Sequence, residues 1–254
     1  MKKSQHDSSN RPLRELAYRH LQSKLVTGSL VSGSVLSEVA LSKELGVSRT
    51  PLREAIGQLV AEGFLEQLPS RGTVVAQGTR RDIVELYELR EALEVYAVAQ
   101  VAKARLRDEV AAELHRIVDA VLDLRNRLES TGLPRLDASK MRSFVNIDLA
   151  FHAGLLRAGG NGRILRVVAD TRLLIRIFSM LHEGHTAAQL TDIHAYHDRI
   201  LKAVLAGESG QARELMAEHI RLSREERLAA YDEWERQLSL NRAVGDDWLD
   251  RGGL

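Results

Sequence analysis

Cysteine does not occur in this chain. Its absence excludes disulfides, thiolate metal ligands and cysteine nucleophiles, so any metal must be held by nitrogen and oxygen donors; it also suits a reducing cytoplasm. Long apolar runs are missing too, since no stretch reaches the about 20 consecutive apolar residues that a spanning helix needs. The opening MKKSQHDSSN carries charge and serine around no apolar centre, unlike a secretory signal. The expectation is a soluble, cytoplasmic protein with no membrane partner. Proline is scarce and aromatic residues make up only 4% of the chain, which leaves Leu, Val, Ile and Ala to build the core. Nor does either sign of charge dominate, with 36 Lys and Arg against 35 Asp and Glu. That balance conceals an asymmetry: ten basic and seven acidic residues precede Gly78, and 26 basic and 28 acidic residues follow from there. A basic first part is what phosphate contact by that part alone would require.

At 254 residues the chain has room for two cores. After a polar arm over 1–11, apolar residues at Leu13, Leu16, Ala17, Leu21 and Leu25 predict a helix ending at Gly28. A short helix follows over 37–45, stopped by Gly46. A third starts at Ser48 or Thr50, with Pro51 tolerated in its first turn, and ends at Gly63. Phe64–Leu68 and Thr73–Ala76 read as a hairpin around Pro69-Ser70-Arg71-Gly72. Residues 12–78 thus have the order of a winged helix-turn-helix. From Thr79 the apolar period is helical throughout, predicting helices near 79–106, 108–130, 138–158, 162–182, 187–206 and 208–236, broken by short Gly- and Pro-containing turns. Short connections make consecutive helices antiparallel neighbours. The expected fold is therefore mainly α: a winged helix-turn-helix, an all-α antiparallel bundle over 79–236, and a frayed tail over 237–254.

The Gly46-Val47-Ser48 turn lets two helices cross steeply and presents the second to a groove. On that helix Leu52, Ala55, Ile56 and Leu59 form the buried stripe, leaving Arg49, Thr50 and Arg53 on the outer face. An arginine there can fork onto guanine O6 and N7, whereas the Ser48 and Thr50 hydroxyls and the helix N-terminus suit phosphate. At the wing, Arg71 stands beside Gly72, thin enough to approach a backbone closely. Taken alone, two arginines on a helix face would simply be solvated.

In the second half, Asp148 and His152 lie four apart, on one face of one helix, which is metal-ligand spacing. His197 and His219 stand about equally far from the Gly207–Gly210 turn, roughly 16 Å at 1.5 Å per residue, and the Asp148 and His152 pair stands at a similar height from the Gly159–Gly162 turn. All four can share one layer. A lone histidine in a bundle is ordinarily structural; three imidazoles and a carboxylate in register suit zinc first, with nickel, manganese and iron as alternatives, and leave positions for a ligand oxygen. A carboxylate-type effector could complete such a site, with Arg90 as the leading candidate and Arg172 as a second to hold its other end. The plainer reading of Arg90 is a pair with Glu94 on its own helix. His194 either backs the ligands or is exposed, and His182 and His185, flanking a loop, are expected in solvent.

The string Val47-Ser48-Arg49-Thr50-Pro51-Leu52-Arg53-Glu54-Ala55, followed by Leu59, Glu62-Gly63-Phe64-Leu65 and Arg71-Gly72-Thr73, closely resembles the GntR family of bacterial regulators. Tyr87-Glu88-Leu89-Arg90 with Leu93-Glu94, Asp148 with Phe151-His152, His197 with Ile200-Leu201, and His219-Ile220 resemble the FCD effector-binding domain of the FadR-like subfamily. The likeness spans roughly residues 12 to 225. It implies a winged helix joined to a helical effector domain, a homodimer on a pseudo-palindromic double-stranded DNA operator, and Asp148, His152, His197 and His219 as metal ligands. Two positions depart from the pattern: Ser32, where such families usually carry proline, and Val39, where a basic residue usually contacts DNA. The resulting expectation is a DNA-binding transcription regulator, a repressor in the first instance, that is not an enzyme. The competing readings are a metal-dependent hydrolase with Glu94 or Asp192 as base, and a constitutive DNA-binding protein with a structural metal.

Overall fold

The computed structural model describes the backbone over 6–178 and 184–250 and side chains over 11–178 and 184–237. The chain divides into two compact units.

The first unit begins with α1 (His6–Thr27), which starts before Pro12 rather than after it, so the arm expected over 1–11 is helical from His6 onward. Ala17, Leu21 and Leu25 form its fully buried face. α2 (Glu38–Leu45) is capped by Ser37, whose hydroxyl accepts from Ala40 N at 3.3 Å. It ends where Gly46 takes φ 65°, a left-handed conformation that a side chain would strain. α3 (Arg49–Ala61) follows, with Ser48 in the capping position but without a side-chain cap bond. β1 (Leu65–Leu68) and β2 (Gly72–Val75) pair antiparallel from Leu65↔Val75 to Leu68↔Gly72, and Val35 adds a single bridge to Val74. Leu52, Ile56, Leu59 and Phe64 meet the α1 stripe in one apolar cluster. Leu173 and Ile177 belong to that cluster as well, so the last turns of a helix from far along the chain complete this core. Local periodicity offers no signal for that long-range docking.

The second unit is a bundle of α4 (Arg80–Ala104), α5 (Asp108–Thr131), α6 (Ala138–Ala158), α7 (Gly162–Phe178, as far as Arg172), α8 (Ala187–Ala206) and α9 (Ser209–Asp250). α4 packs along α9 and α6, and α5 along α6 and α8. α5 shows the physics most simply: Leu114, Val118, Val121, Leu124 and Leu128 recur every three or four residues and are all buried. Each such side chain removed from water stabilises the fold by about 1.5–3 kcal/mol. Asp137 caps α6 by accepting from Lys140 N at 2.8 Å, and Thr186 and Gln189 form a capping box on α8. Gly207, at φ 76°, turns α8 into α9. The helix expected to stop near 236 runs on to Asp250. Residues 179–182, read from sequence as the end of the fourth bundle helix, lie outside the described residues.

Candidate DNA-reading face and metal centre

Two surfaces carry chemistry, one in each unit. In the first, Ser48, Arg49, Thr50, Arg53, Arg71 and Gly72 are all exposed, as a face that meets another molecule must be. α3 achieves this by burying Pro51, Leu52, Ala55, Ile56 and Leu59, which forces residues 49, 50 and 53 outward. Arg53 is not loose: its Nε donates to Glu38 Oε2 at 2.8 Å, tying the first turn of α3 to that of α2. Gly72 sits at φ 76°, which lets the wing turn tightly beside Arg71. Val39, where the family pattern has a basic residue, is 62% exposed.

In the second unit four ligand-type side chains converge. Asp148 and His152 come from α6, His197 from α8 and His219 from α9, and one donor atom of each lies within 4.8 Å of the others. The Nε2 atoms of His197 and His152 each stand 3.3 Å from His219 Nε2, and Asp148 Oδ1 is 3.4 Å from His197 Nε2 and 3.6 Å from His152 Nε2. A tetrahedral ion with bonds of about 2.0–2.1 Å separates its donors by roughly 3.3 Å; four of the spacings, 3.3–3.6 Å, are close to that, while the set as a whole spreads to within 4.8 Å, wider than a closed tetrahedron. The three imidazoles are at most 4% exposed. Burial pushes the His197 imidazole down to about 4 and that of His219 well below the ordinary histidine range, with the neighbouring imidazoles adding to the His219 shift. Both are therefore neutral near pH 7, the form in which nitrogen can bind a metal. Phe151 stacks on His197 with ring centroids 4.1 Å apart and holds it edge-on to the cluster.

Around this cluster lies a buried shell of opposite charges. Arg90 Nε donates to Glu94 Oε1 at 2.7 Å, the i,i+4 pair that the plainer sequence reading expects, and its guanidinium also stands over the Tyr87 ring. Glu94 Oε2 lies 2.5 Å from His152 Nδ1, within hydrogen-bond distance. Arg172 bonds Asp148 Oδ2 and lies 3.5 Å from Glu94 Oε1. Although burial alone would raise the Glu94 carboxyl, Arg90, His152 and Arg172 hold it well below the usual range. Burial opposes ionisation of Asp148 likewise, and Arg172 with the two histidines outweighs it. Thus Asp148 presents Oδ1 to the histidines and Oδ2 to Arg172, a division that fixes its rotamer. The role of Glu94 as hub of this shell escapes sequence reading. Its signal is present: Arg90 and Glu94 stand on the stripe that also buries Ile83, Tyr87, Ala97, Val98 and Val101, where charge is costly unless paired.

His185 is 4% exposed and packs edge-on against Phe144 at 4.6 Å, so the expectation that it faces solvent is wrong; the fold closes the 184–186 segment over Leu136. His182 lies outside the described residues. No helix among the described residues is long and apolar enough to cross a membrane.

Both halves of the chain match known families. Residues 13–75 match the model for bacterial regulatory proteins of the gntR family, and residues 85–222 match the FCD domain. A regulator of the helix-turn-helix type in an unstable DNA locus of Streptomyces ambofaciens is 32% identical over 231 residues, covering 90% of this chain and 88% of the relative. A probable D-xylose utilization operon transcriptional repressor from Paenarthrobacter nicotinovorans is 28% identical, over 78% of this chain and 80% of its own length. In fold, the chain resembles E. coli McbR/YncC with a TM-score of 0.71 at 22% identity, covering 87% of this chain and 98% of that one. The domains and relatives are those of transcriptional regulators, not enzymes. The chain belongs to the GntR family of bacterial transcription regulators, with a winged helix-turn-helix and an FCD domain.

Proposed function

We propose that this regulator is a cytoplasmic, homodimeric repressor whose grip on a double-stranded DNA operator is set by a small carboxylate-type effector bound at a divalent metal in the FCD domain. The observation that carries the reading is the convergence of three buried imidazoles and one carboxylate at the donor spacing of a metal. Asp148, His152, His197 and His219 would hold the ion, zinc in first place with nickel, manganese and iron as alternatives. Bound there, the metal supplies a positive centre for an effector oxygen. Arg90 and Arg172 are the cations that would face the rest of the effector, and each already holds a carboxylate of the protein, so an incoming anion competes with Glu94 or Asp148 for them. Repression is favoured by relatives that are repressors by name, including the gluconate operon repressor of Bacillus licheniformis.

DNA contact falls to the exposed set Ser48, Arg49, Thr50, Arg53, Arg71 and Gly72. Arginines 49 and 53 suit base edges; Ser48, Thr50 and the wing suit phosphates. Covalent continuity gives the effector a route to this face. Arg172 is the last residue of α7 in the sensing unit, and Leu173 and Ile177 in the same helix are part of the winged-helix core. A ligand that repositions Arg172 thereby favours one of two arrangements of α7, which is what coupling requires.

The test is binding of the purified protein to DNA from upstream of its own gene, with and without a chelator and a panel of small carboxylic acids. Support is a complex lost in Arg49→Ala and altered by one acid only while His197 and His219 are present. A complex indifferent to chelator and to every acid would leave a constitutive DNA-binding protein.

A further inference from the structure

We infer that Glu94 is the residue that makes His152 a metal ligand, by fixing which ring nitrogen carries the proton. The inference rests on the metal reading above and adds a positioning residue to it.

A neutral imidazole has one N–H and one lone pair, and only the lone pair binds a metal. His152 is fully buried, so water cannot choose between its tautomers. Its Nε2 faces His219 and Asp148, whereas its Nδ1 lies 2.5 Å from Glu94 Oε2. Held between the Arg90 and Arg172 guanidiniums, Glu94 is a carboxylate that only accepts, so in the neutral ring Nδ1 carries the hydrogen and Nε2 offers its lone pair to the cluster. The other oxygen of Glu94 is committed as well: Oε1 accepts from Arg90 Nε at 2.7 Å, with Arg172 Nη1 at 3.5 Å. Both guanidiniums are buried, and Glu94 is the anion between them.

This double commitment makes the Glu94→Gln variant informative. The substituted side chain has one acceptor oxygen and one amide NH2 in place of two acceptor oxygens. Arg90 is a fixed donor, so the oxygen turns to it and the NH2 turns to His152 Nδ1. His152 must then accept at Nδ1 and carry its proton on Nε2, where a metal would bind. The shape of the side chain is conserved while the tautomer is reversed.

Two measurements test this. The first is the nitrogen-15 imidazole spectrum of metal-free wild-type protein, with the His152 signals assigned by their loss in His152→Gln. The expected pattern is protonated Nδ1 and bare Nε2; a proton on Nε2 overturns the inference without any need for a Glu94 variant to fold. The second is zinc affinity by competition with a chromophoric chelator. Glu94→Gln is expected to weaken it by about 10- to 100-fold, the usual effect of losing such a partner. A folded variant with wild-type zinc affinity overturns the inference. If wild-type protein binds no zinc, nickel, manganese or iron yet shows the Nδ1–H tautomer, the metal reading fails while the hold of Glu94 on the tautomer stands.

Discussion

Arg53 in α3 is tethered to Glu38 in α2 by a 2.8 Å charge-assisted hydrogen bond, although both residues lie at the protein surface. The pair settles the direction of a side chain that would otherwise sample many rotamers, and it leaves the remaining guanidinium nitrogens free of Glu38. Replacing Arg53 by Ala is expected to weaken operator binding by about 1–3 kcal/mol and to relax preference at one base pair. Glu38→Ala should cost less, because it removes only the tether. Competition titrations with single-base operator variants check both.

Arg71 at the wing is expected to behave differently. On the proposed reading it stands outside the groove-reading helix on a thin turn, where the expected contact is with phosphate. Arg71→Ala should weaken binding nearly equally for all sequences and lower the slope of log affinity against log salt by about one. A sequence-selective loss would move Arg71 to the base-reading set.

Gly78 lies against Phe178 so closely that an added Cβ would stand 2.1 Å from the ring. Gly78→Ala is expected to destabilise the winged-helix unit by about 1–3 kcal/mol through overpacking. Phe178→Ala in the same chain should recover part of that loss, which a double-mutant cycle on unfolding free energies would register.

These residues also mark how far the sequence can be read. The winged helix and the bundle are legible because burial there follows local period: Leu52, Ala55, Ile56 and Leu59 on α3, and Leu114 to Leu128 on α5. The clustering of Asp148, His152, His197 and His219 is legible because Gly207 and Gly159 mark the helix ends from which heights can be counted. What local pattern does not carry is partnership between distant segments. Nothing around Leu173 and Ile177 indicates that they complete the core of α1 and α3. Nothing around His185 indicates Phe144 as its cover, and a polar residue beside a break reads as exposed. The span of α1 from His6 is hidden for another reason: Pro12, the seventh residue of the helix, forfeits its hydrogen bond to the carbonyl of residue 8, and by propensity a proline marks a helix start rather than an interior.

The cap of α6 gives a pH prediction. Hydrogen bonds from the Lys140 backbone and side chain hold the Asp137 carboxyl below its ordinary value. A carboxyl depressed in the folded state contributes stability that is present above its unfolded pKa, about 3.9, and lost as pH falls through the lower folded value. Asp137→Ala should therefore lower the thermal midpoint at pH 7, and the gap from wild type should narrow as pH falls below about 4. A gap independent of pH would show that the charge of Asp137 contributes nothing.

On the proposed reading, metal removal bears on stability as well as on sensing. An ion bound only by the folded state stabilises it by about 2.7 kcal/mol when free metal is 100 times its dissociation constant. Chelation is therefore expected to lower the thermal midpoint of wild-type protein, and adding back zinc in excess to restore it. His219→Ala should abolish the response, since it removes the ligand whose Nε2 stands 3.3 Å from both other imidazoles. The variant's own midpoint separates two contributions. If it unfolds at the temperature of chelated wild type, His219 serves the metal alone; if it unfolds well below that temperature, the buried ring also carries packing, as its contacts with Tyr196 and His197 imply.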